Sequence, residues 1–258
     1  MKIFVCVKQV PDSETKIKFL ADGSGVDTQG VKWVLNPYDE IAVEEAVKFK
    51  EKNPTAQVFV LTLGPKQRAS EVLRTALAMG ADEGIVINTS QDGDSYTTAK
   101  TLAKTIQSEG GADLILTGKL AIDDNGNAVG PMLAEFLKIP HVSVVSKIEY
   151  QANALKVERD VDGGAKEIFE IALPCLITTN KGLNTPRYAS LPGIMKAKKK
   201  VLKEYDQAQL GIEPSDFKVK AGAFTFPADK APVKMISGDA TAQTSELVKL
   251  LRDEAKVL

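Results

Sequence analysis

The sequence contains very little of the side-chain chemistry from which metal centres and most catalytic sites are built. Its 258 residues include two cysteines and one histidine. A zinc site needs a cluster of Cys and His ligands, and two cysteines with His141 do not supply one. A catalytic triad would have to be built on His141 alone. The sequence therefore gives no candidate catalytic residue and no candidate metal ligand.

Disulfide chemistry and membrane anchoring find equally little support. Cys6 and Cys175 each lie inside an apolar run, where a small buried thiol is favoured over a disulfide. The chain opens with MKIFVCVK, the pattern of a first strand rather than a signal peptide. No apolar run reaches the ~18 residues that a membrane span needs. We therefore expect a soluble, cytoplasmic protein that does not insert into a membrane.

An excess of charge of either sign is also missing. The formal net charge is -1, so nothing global attracts the chain to nucleic acid or to an anionic membrane. Its 43% of hydrophobic and 26% of charged residues are those of an ordinary globular protein. Positive charge is concentrated in one short stretch that contains Lys196, Lys198, Lys199, Lys200 and Lys203.

The sequence does contain a regular alternation of strand-like and helix-like segments in its first two-thirds. Short apolar runs typical of parallel strands covered on both faces occupy residues 2–7, 57–63, 84–87 and 112–117. Amphipathic stretches typical of helices occupy residues 41–49, 69–79, 97–106 and 129–137. Strands that alternate with helices predict right-handed βαβ units. The expected fold class is α/β, with a doubly wound, mostly parallel, Rossmann-like sheet.

Beyond Pro140 the pattern changes to that of a β-hairpin insertion followed by a C-terminal arm. Strands are expected at 142–145, 148–157, 167–173 and 175–179, with a glycine-rich turn at 162–164 and a last helix at 244–256. We predict a nucleotide-binding α/β domain over residues 1–186, a recognition loop over 187–200, and an arm over 201–258 that packs on a partner subunit. The alternative for the arm is a loosely ordered tail.

The most informative loop runs from Gly118 to Gly130. Ligands of open α/β sheets bind beyond the carboxyl ends of the strands, and here a strand leads through a polar loop into a helix, whose N–H groups and dipole suit a phosphate. The loop is neither a Walker loop nor a GxGxxG fingerprint, so ATP hydrolysis and classical NAD binding lose support. Backbone amides should hold the phosphate, with Asp123 and Asp124 turned to ribose, water or their own backbone. The alternative is an ordinary helix entry capped by Asn125.

Two further segments contain candidate functional residues. The run Asn36-Pro37-Tyr38-Asp39 has the composition of a helix start, with Asn at the N-cap and Pro at the first position. Residues 181–200 are expected to form an irregular segment that brings Leu191, Ile194 and Met195 together inside a cationic frame. Exposed apolar residues with a cationic rim indicate a protein-docking loop. The alternative is a helix whose apolar side is core and whose lysines are merely solvated.

Four segments give the chain a resemblance, along nearly its whole length, to the beta subunits of electron-transfer flavoproteins. They are VCVKQVPD, NPYDEIAVEEAV, GKLAIDDNGNAVG and LNTPRYASLPGIMKAKKK. The resemblance implies a subunit without catalytic residues that holds a structural AMP and pairs with an alpha subunit carrying the redox FAD. It also implies docking of acyl-CoA and related dehydrogenases, as in fatty acid beta-oxidation, and delivery of electrons to a membrane quinone oxidoreductase.

The resemblance also assigns site residues. AMP is expected to contact Cys6, Asn36, Pro37, Tyr38, Asp39, Leu63, Gly118, Lys119, Leu120, Ala121, Ile122, Asp123, Asp124, Asn125, Gly126, Asn127, Ala128 and Val129. Tyr38 should lie near the flavin of the partner, and so should Ser13, although some relatives have a tyrosine at that position. The recognition loop, with Leu191 as its anchor, would comprise Arg187, Tyr188, Ala189, Ser190, Leu191, Pro192, Gly193, Ile194, Met195 and Lys196.

Three other functions remain open on the sequence. A bifurcating branch of the same family binds a second FAD in place of AMP, but its loop tends to differ from the one here at Lys119, at Asp124-Asn125 and at Asn127. An ATP-dependent enzyme or nucleotide sensor on the same fold would need a triphosphate cradle, which no GK[ST] supplies. A plain interaction scaffold without nucleotide is the third.

Overall fold

The computed structural model describes residues 1–90 and 93–258. They divide into a main unit, residues 1–18 and 27–222, and a smaller unit, residues 19–26 and 223–258. The strands are β1 Lys2–Cys6, β2 Gln9–Pro11, β3 Trp33–Leu35, β4 Gln57–Gly64, β5 Glu83–Asn88, β6 Leu114–Gly118, β7 His141–Tyr150, β8 Ala154–Asp160, β9 Lys166–Ala172, β10 Cys175–Thr179 and β11 Lys203–Asp206. The helices are α1 Pro37–Lys52, α2 Lys66–Met79, α3 Ser95–Ser108, α4 Val129–Leu137, α5 Leu191–Lys199 and α6 Ala240–Asp253.

The main unit is built on one sheet with the strand order β11-β5-β4-β1-β6-β10-β7-β8-β9. The pairs from β11 to β7 are parallel, and β7, β8 and β9 form an antiparallel extension. From β1 the chain moves outward to β4 and β5, and then returns to place β6 on the opposite side of β1. The strand order therefore reverses between β1 and β6. The predicted α/β class with a doubly wound, mostly parallel sheet is confirmed.

The central strand is buried on both of its faces. Ile3 and Val5 of β1 pack into the apolar cluster that includes Val43 of α1 and Leu73 of α2. Phe4 and Cys6 point to the opposite face. There they join a second cluster, to which α3 and α4 contribute Leu102 and Leu133. Because side chains alternate between the faces of a strand, a continuous apolar run is what a strand with helices on both sides requires.

The antiparallel extension differs from its prediction in one place. The expected strand over residues 148–157 is wrong as a single strand, because the chain turns between β7 and β8. The backbone N–H of Gln151 donates to the carbonyl of Ala154 across that turn. The following turn, between β8 and β9, contains Gly163 and Gly164, both with φ of 78°. That left-handed backbone is the conformation for which glycine was expected there.

Three short strands were not predicted at all. β2 and β3 pair antiparallel, and β11 pairs parallel with β5 at the edge of the main sheet. The main unit therefore runs on past residue 200, through β11 to Gly222. Within the described part of the chain, no helix is long and apolar enough to cross a membrane.

The smaller unit combines a short bridge with the last helix. Phe19 and Val26 form an isolated antiparallel β-bridge. The ring of Phe19 lies 4.4 Å from that of Phe226 and 5.9 Å from that of Phe224, measured between centroids. α6 begins after Asp239, whose side chain accepts a hydrogen bond from the N–H of Ala242. None of the residues of α6 is buried, so this helix contributes no core of its own.

Candidate functional site

The carboxyl ends of β1 and β6 lie side by side where the strand order reverses, with Cys6 paired to Thr117. Asp39, in the first turn of α1, connects the two strand ends. Its Oδ2 accepts a hydrogen bond from the backbone N–H of Lys8 at 2.8 Å, and its Oδ1 accepts one from the N–H of Gly118 at 2.9 Å. The predicted site residues Cys6, Asp39 and Gly118 are thus brought together at the point where open α/β sheets bind ligands.

Gly118 allows this close approach because it has no side chain. A Cβ atom at this position would lie 2.4 Å from Oδ1 of Asp39 and 2.7 Å from Cβ of Tyr38. Both distances are far below a normal van der Waals contact, so any other residue would force α1 away from β6. The first residue of the GKLAIDDNGNAVG segment is therefore a packing requirement of the crevice.

Asn36 fixes the loop that follows Gly118. It occupies the N-cap position of α1, as predicted, but its side chain makes no capping hydrogen bond. Instead, its Nδ2 donates to the carbonyl of Leu120 at 2.8 Å, and its Oδ1 accepts from the N–H of Ile122 at 3.3 Å. The side chain of Asn36 therefore holds the beginning of residues 118–129, which we call the switch-point loop.

Lys8 was not among the predicted site residues, yet it bridges both acids of the switch-point loop. Its Nζ lies 2.9 Å from Oδ1 of Asp123 and 3.0 Å from Oδ2 of Asp124. Burial lowers the pKa of Lys8, but the hydrogen bonds and charges of the two aspartates outweigh burial and raise that pKa above its usual value. The only sequence signal was a lysine directly after a buried strand, which is too common to identify a site.

Asp124 also accepts a hydrogen bond from the backbone of its own loop. Its Oδ1 accepts from the N–H of Gly126 at 2.9 Å. Burial would raise the pKa of Asp124, but the N–H of Gly126 and the ammonium of Lys8 hold that pKa below its usual value. Asp124 therefore has both of its oxygens engaged within the protein.

α4 begins at Val129 without a side-chain cap. The residue at its N-cap position is Ala128, so the alternative of a helix entry capped by Asn125 is wrong. Asn125 and Asn127 both have left-handed backbone, with φ of 52° and 46°, which Asn tolerates better than most residues. Pro131 has no N–H, so the first turn offers the N–H groups of Val129 and Gly130, which have neither an intrahelical acceptor nor a side-chain acceptor from the N-cap. Such amides, together with the helix dipole, favour an anion at this position.

Burial at the strand ends raises the pKa values of Asp39 and Cys6 and so favours their protonated, uncharged forms. Burial raises the pKa of Asp39 to about 7, against the opposing effects of the N–H of Lys8, the side chain of Asn36 and the N–H of Gly118. Burial, and after it the charge of Asp39, raises the pKa of the Cys6 thiol well above its usual range. A thiol with a raised pKa is a poor nucleophile. Cys6 therefore contributes packing rather than chemistry to the site.

The other predicted site residues differ in their burial. Tyr38 is half-buried, and the ammonium of Lys119 lies 5.1 Å from the centroid of its ring. Leu63 is half-buried near the end of β4, and Pro37 is exposed at the start of α1. Ser13 is exposed in the turn that follows β2. Among residues 1–90 and 93–258, no group of three or more His, Cys, Asp or Glu side chains could hold a metal ion.

The segment expected to be irregular around Leu191 is a helix, α5, so that part of the prediction is wrong. Ser190 caps it by accepting the N–H of Gly193 at 3.1 Å, and Pro192 lies in the first turn, where proline is tolerated. The side chains of α5 are nevertheless mostly exposed. Leu191 is 78% exposed and Met195 60% exposed, and Tyr188 just before the helix is 99% exposed.

α5 is fixed to the main unit at both of its ends. A Cβ atom on Gly193 would lie 2.5 Å from the carbonyl oxygen of Ala78, so the helix start lies directly against the end of α2. At the other end, Nη1 of Arg74 donates to the carbonyl of Ala197 and, at 2.6 Å, to that of Lys200. Leu191 and Met195 are therefore exposed on a helix whose position is fixed.

The segment that precedes α5 is bound to α1 by hydrogen bonds and salt bridges. Arg187 donates from Nε to Oε2 of Glu44 at 2.8 Å and from Nη1 to Oε1 of Glu51 at 2.5 Å. Nδ2 of Asn184 donates to Oε2 of Glu45 at 3.0 Å. α1 begins in the crevice and holds these residues farther along its length. Arg187, predicted as part of a cationic frame, is therefore paired with acids of the protein itself.

Comparison with known proteins finds one matching family and several similar proteins. Residues 24–210 match the family model described as an electron transfer flavoprotein domain. The chain is 40% identical over 263 residues to electron transfer flavoprotein subunit beta of Bacillus subtilis (strain 168), and the match covers 100% of both chains. It is 43% identical over 259 residues to the protein of that name from Bradyrhizobium diazoefficiens, again over 100% of both. For the protein of that name from Homo sapiens, identity is 39% over 261 residues, 100% of this chain and 99% of the human one.

Proposed function

The chain belongs to the electron transfer flavoprotein family, with beta subunits as its relatives, and on this premise we propose that it holds a structural AMP in its switch-point crevice. We further propose that it pairs with an alpha subunit that carries the redox FAD. In this assembly the chain anchors dehydrogenases of the acyl-CoA dehydrogenase type, and it supports electron transfer toward a quinone oxidoreductase. It carries out no chemical step itself and acts in the cytoplasm.

One observation carries the proposal for the nucleotide, namely the crevice between Asp39, Gly118 and the uncapped start of α4. Gly118 lets the first turn of α1 pack directly against the end of β6, where a Cβ atom would clash with Asp39, and the first turn of α4 offers amides without a cap. Backbone amides of this kind suit a single phosphate group. The residues proposed to hold AMP are Cys6, Asn36, Pro37, Tyr38, Asp39, Leu63 and the switch-point loop. AMP adds binding energy that only the folded chain can use.

The same geometry argues against hydrolysis of ATP. A metal-dependent phosphoryl transfer needs an acid that is available to a magnesium ion. Both acids of the loop are engaged with Lys8, and Asp124 is also bonded to Gly126. A second FAD in place of AMP is disfavoured by the differences from the bifurcating branch already noted at Lys119, Asp124-Asn125 and Asn127.

The proposed docking site is α5 with the short segment that precedes it, which contains Tyr188. Leu191 and Met195 expose apolar surface on a helix held at both ends, Tyr188 exposes more just before it, and exposed lysines lie beside them. An apolar anchor within a cationic rim fits a partner that has an apolar pocket with acidic surroundings. The partner proposed for α6 is the alpha subunit, because this amphipathic helix has no buried residue of its own.

The test uses the nucleotide-depleted complex of this chain with its alpha subunit. Added AMP should stabilise the folded complex by RT ln(1 + [L]/Kd), about 3–4 kcal/mol at 100 to 1,000 times Kd. ATP incubated with the same complex should release no phosphate. Unfolding midpoints measured with AMP, with adenosine and without a nucleotide give the first result, and a phosphate assay gives the second. Sustained phosphate release, or a midpoint that AMP does not move, would contradict the proposal.

A further inference from the structure

The switch-point loop has an electrostatic problem if it receives a phosphate. Asp123 and Asp124 are adjacent in the loop that leads to α4, and two carboxylates near a phosphate repel it. The uncapped first turn of α4 offers only partial positive charge. The loop therefore needs a cation that neutralises its acids without taking the position of the phosphate.

Lys8 has the geometry of that cation. Its ammonium lies between Asp123 and Asp124, at 2.9 and 3.0 Å. Its backbone N–H, at the other end of the residue, donates to Asp39 at 2.8 Å. Lys8 thus connects the end of β1 both to α1 and to the switch-point loop. Lys119, the other lysine of the crevice, has its ammonium over the ring of Tyr38.

We propose that Lys8 is the positioning residue of the nucleotide site: it holds the two aspartates against the β1 side of the crevice and neutralises one of their charges, so that the amides of α4 can receive the phosphate. This inference rests on the proposed function, because it concerns the same site. Lys8 acts through Asp123 and Asp124. A direct contact between its ammonium and the phosphate is the competing role, which would release the aspartates into the crevice.

The two roles make opposite predictions for a charge-balanced variant. Replacing Lys8 alone leaves two uncompensated acids, so Lys8→Met should weaken AMP binding by about tenfold at low salt. Replacing the acids as well, in the triple variant Lys8→Met/Asp123→Asn/Asp124→Asn, removes the repulsion. AMP affinity should then return to within about threefold of that of the unaltered protein. If Lys8 bound the phosphate directly, affinity would stay low in the triple variant.

The chain offers a matched control. Lys147 also bridges two acids, Glu149 at 2.8 Å and Glu158 at 2.9 Å, but it lies on the β7–β8 hairpin. Lys147→Met removes the same charge from the same kind of contact and should leave AMP affinity unchanged. Lys8→Arg keeps the charge and should preserve most of the affinity.

The experiment titrates AMP into the nucleotide-depleted complex with the alpha subunit, at low and at high salt, for each variant. The loss caused by Lys8→Met should shrink as salt rises, because screening weakens the repulsion. A purely structural role would instead lower the unfolding midpoint and leave the salt dependence of AMP binding unchanged. Unaltered AMP affinity in Lys8→Met, or no recovery in the triple variant, would overturn the inference while the nucleotide site stands. An unaltered complex that binds no AMP overturns the proposed function and this inference with it.

Discussion

Asp39 and Gly118, 79 residues apart in the sequence, are joined by a hydrogen bond of 2.9 Å from the N–H of Gly118 to Oδ1 of Asp39. This bond holds the first turn of α1 against the end of β6. The second oxygen of Asp39 holds the end of β1 through Lys8. One carboxylate thus sets the spacing of the two strands between which the strand order reverses, and so the width of the crevice proposed to receive AMP.

The first prediction concerns Gly118→Ala. A Cβ atom would lie 2.4 Å from Oδ1 of Asp39, so α1 or β6 must move. We expect a loss of stability of about 1–3 kcal/mol, typical of an overpacked core, together with a loss of bound AMP. Chemical denaturation and nucleotide titration measure the two effects. The control is Gly126→Ala in the same loop, where the nearest atom to a new Cβ is Oδ1 of Asp124 at 3.4 Å. Equal effects of the two substitutions would contradict the account of the crevice.

The second prediction concerns pH. Burial raises the pKa of Asp39 from 3.8 to about 7 in the folded protein, so the folded state binds this proton more tightly than the unfolded state. Its contribution to stability is therefore complete below about pH 4 and is lost as the pH rises to about 7. Asp39→Asn carries no titratable proton and should remove this part of the pH dependence. Denaturation curves measured between pH 4 and pH 8 test this prediction. If the stability of the unaltered protein and that of Asp39→Asn changed with pH in parallel, the prediction would be wrong.

The third prediction separates docking from folding at Leu191. Because Leu191 is 78% exposed, Leu191→Ala should leave the melting temperature unchanged. If it fills a pocket on a dehydrogenase, its loss should weaken binding by about 2 kcal/mol, or roughly thirtyfold. Electron transfer from a reduced dehydrogenase to the flavin of the complex measures this. As a control, Leu73→Ala in the core should cost about 2–5 kcal/mol of stability. A lower melting temperature with unchanged electron transfer in Leu191→Ala would show that Leu191 is structural.

The fourth prediction is that the lysines at the end of α5 have two different roles, one in association with a partner and one in stability. Lys198 and Lys199 are exposed, and their removal should slow association with an acidic partner at low salt and have little effect at high salt. Lys200 lies in the same cationic stretch of the sequence. Its Nζ instead donates to the carbonyls of Ala81 at 2.8 Å and Asp82 at 2.6 Å, so Lys200→Ala should lower stability. Stopped-flow association rates and melting curves of the variants separate the two kinds. Identical behaviour of Lys199→Ala and Lys200→Ala would contradict the division.

The sequence predicted best what depends on the local repetition of apolar residues. The central strands of the main sheet are continuous apolar runs, and the helices α2 to α4 are amphipathic, because each strand is covered by helices and each helix covers the sheet. β2, β3 and β11 have only three or four residues each. A run of that length has no period to detect, so these strands arise from pairing with distant segments. The helix α5 was predicted only as the alternative to an irregular segment, and that alternative wrongly placed its apolar side in the core. The Ser190 cap makes Pro192 compatible with a first turn.

The site was predictable as a region but not as a set of interactions. Each of its segments follows a strand, and this position can be predicted from the local sequence. The roles of Asp39 and Lys8 depend on contacts across 31 residues in one case and 115 in the other. No pattern within a short window contains such pairs. The same holds for Asn36, which the sequence identified as a cap and whose side chain fixes the switch-point loop instead.

The nucleotide released from the purified complex is the most direct test of the central claim, and the fifth prediction. The chain is co-expressed with its alpha subunit, the complex is denatured, and the supernatant is separated by liquid chromatography and quantified against protein. The account predicts one AMP for each copy of this chain and one FAD for each alpha subunit. Two FAD per complex without AMP, or no adenine nucleotide other than one FAD, would contradict it.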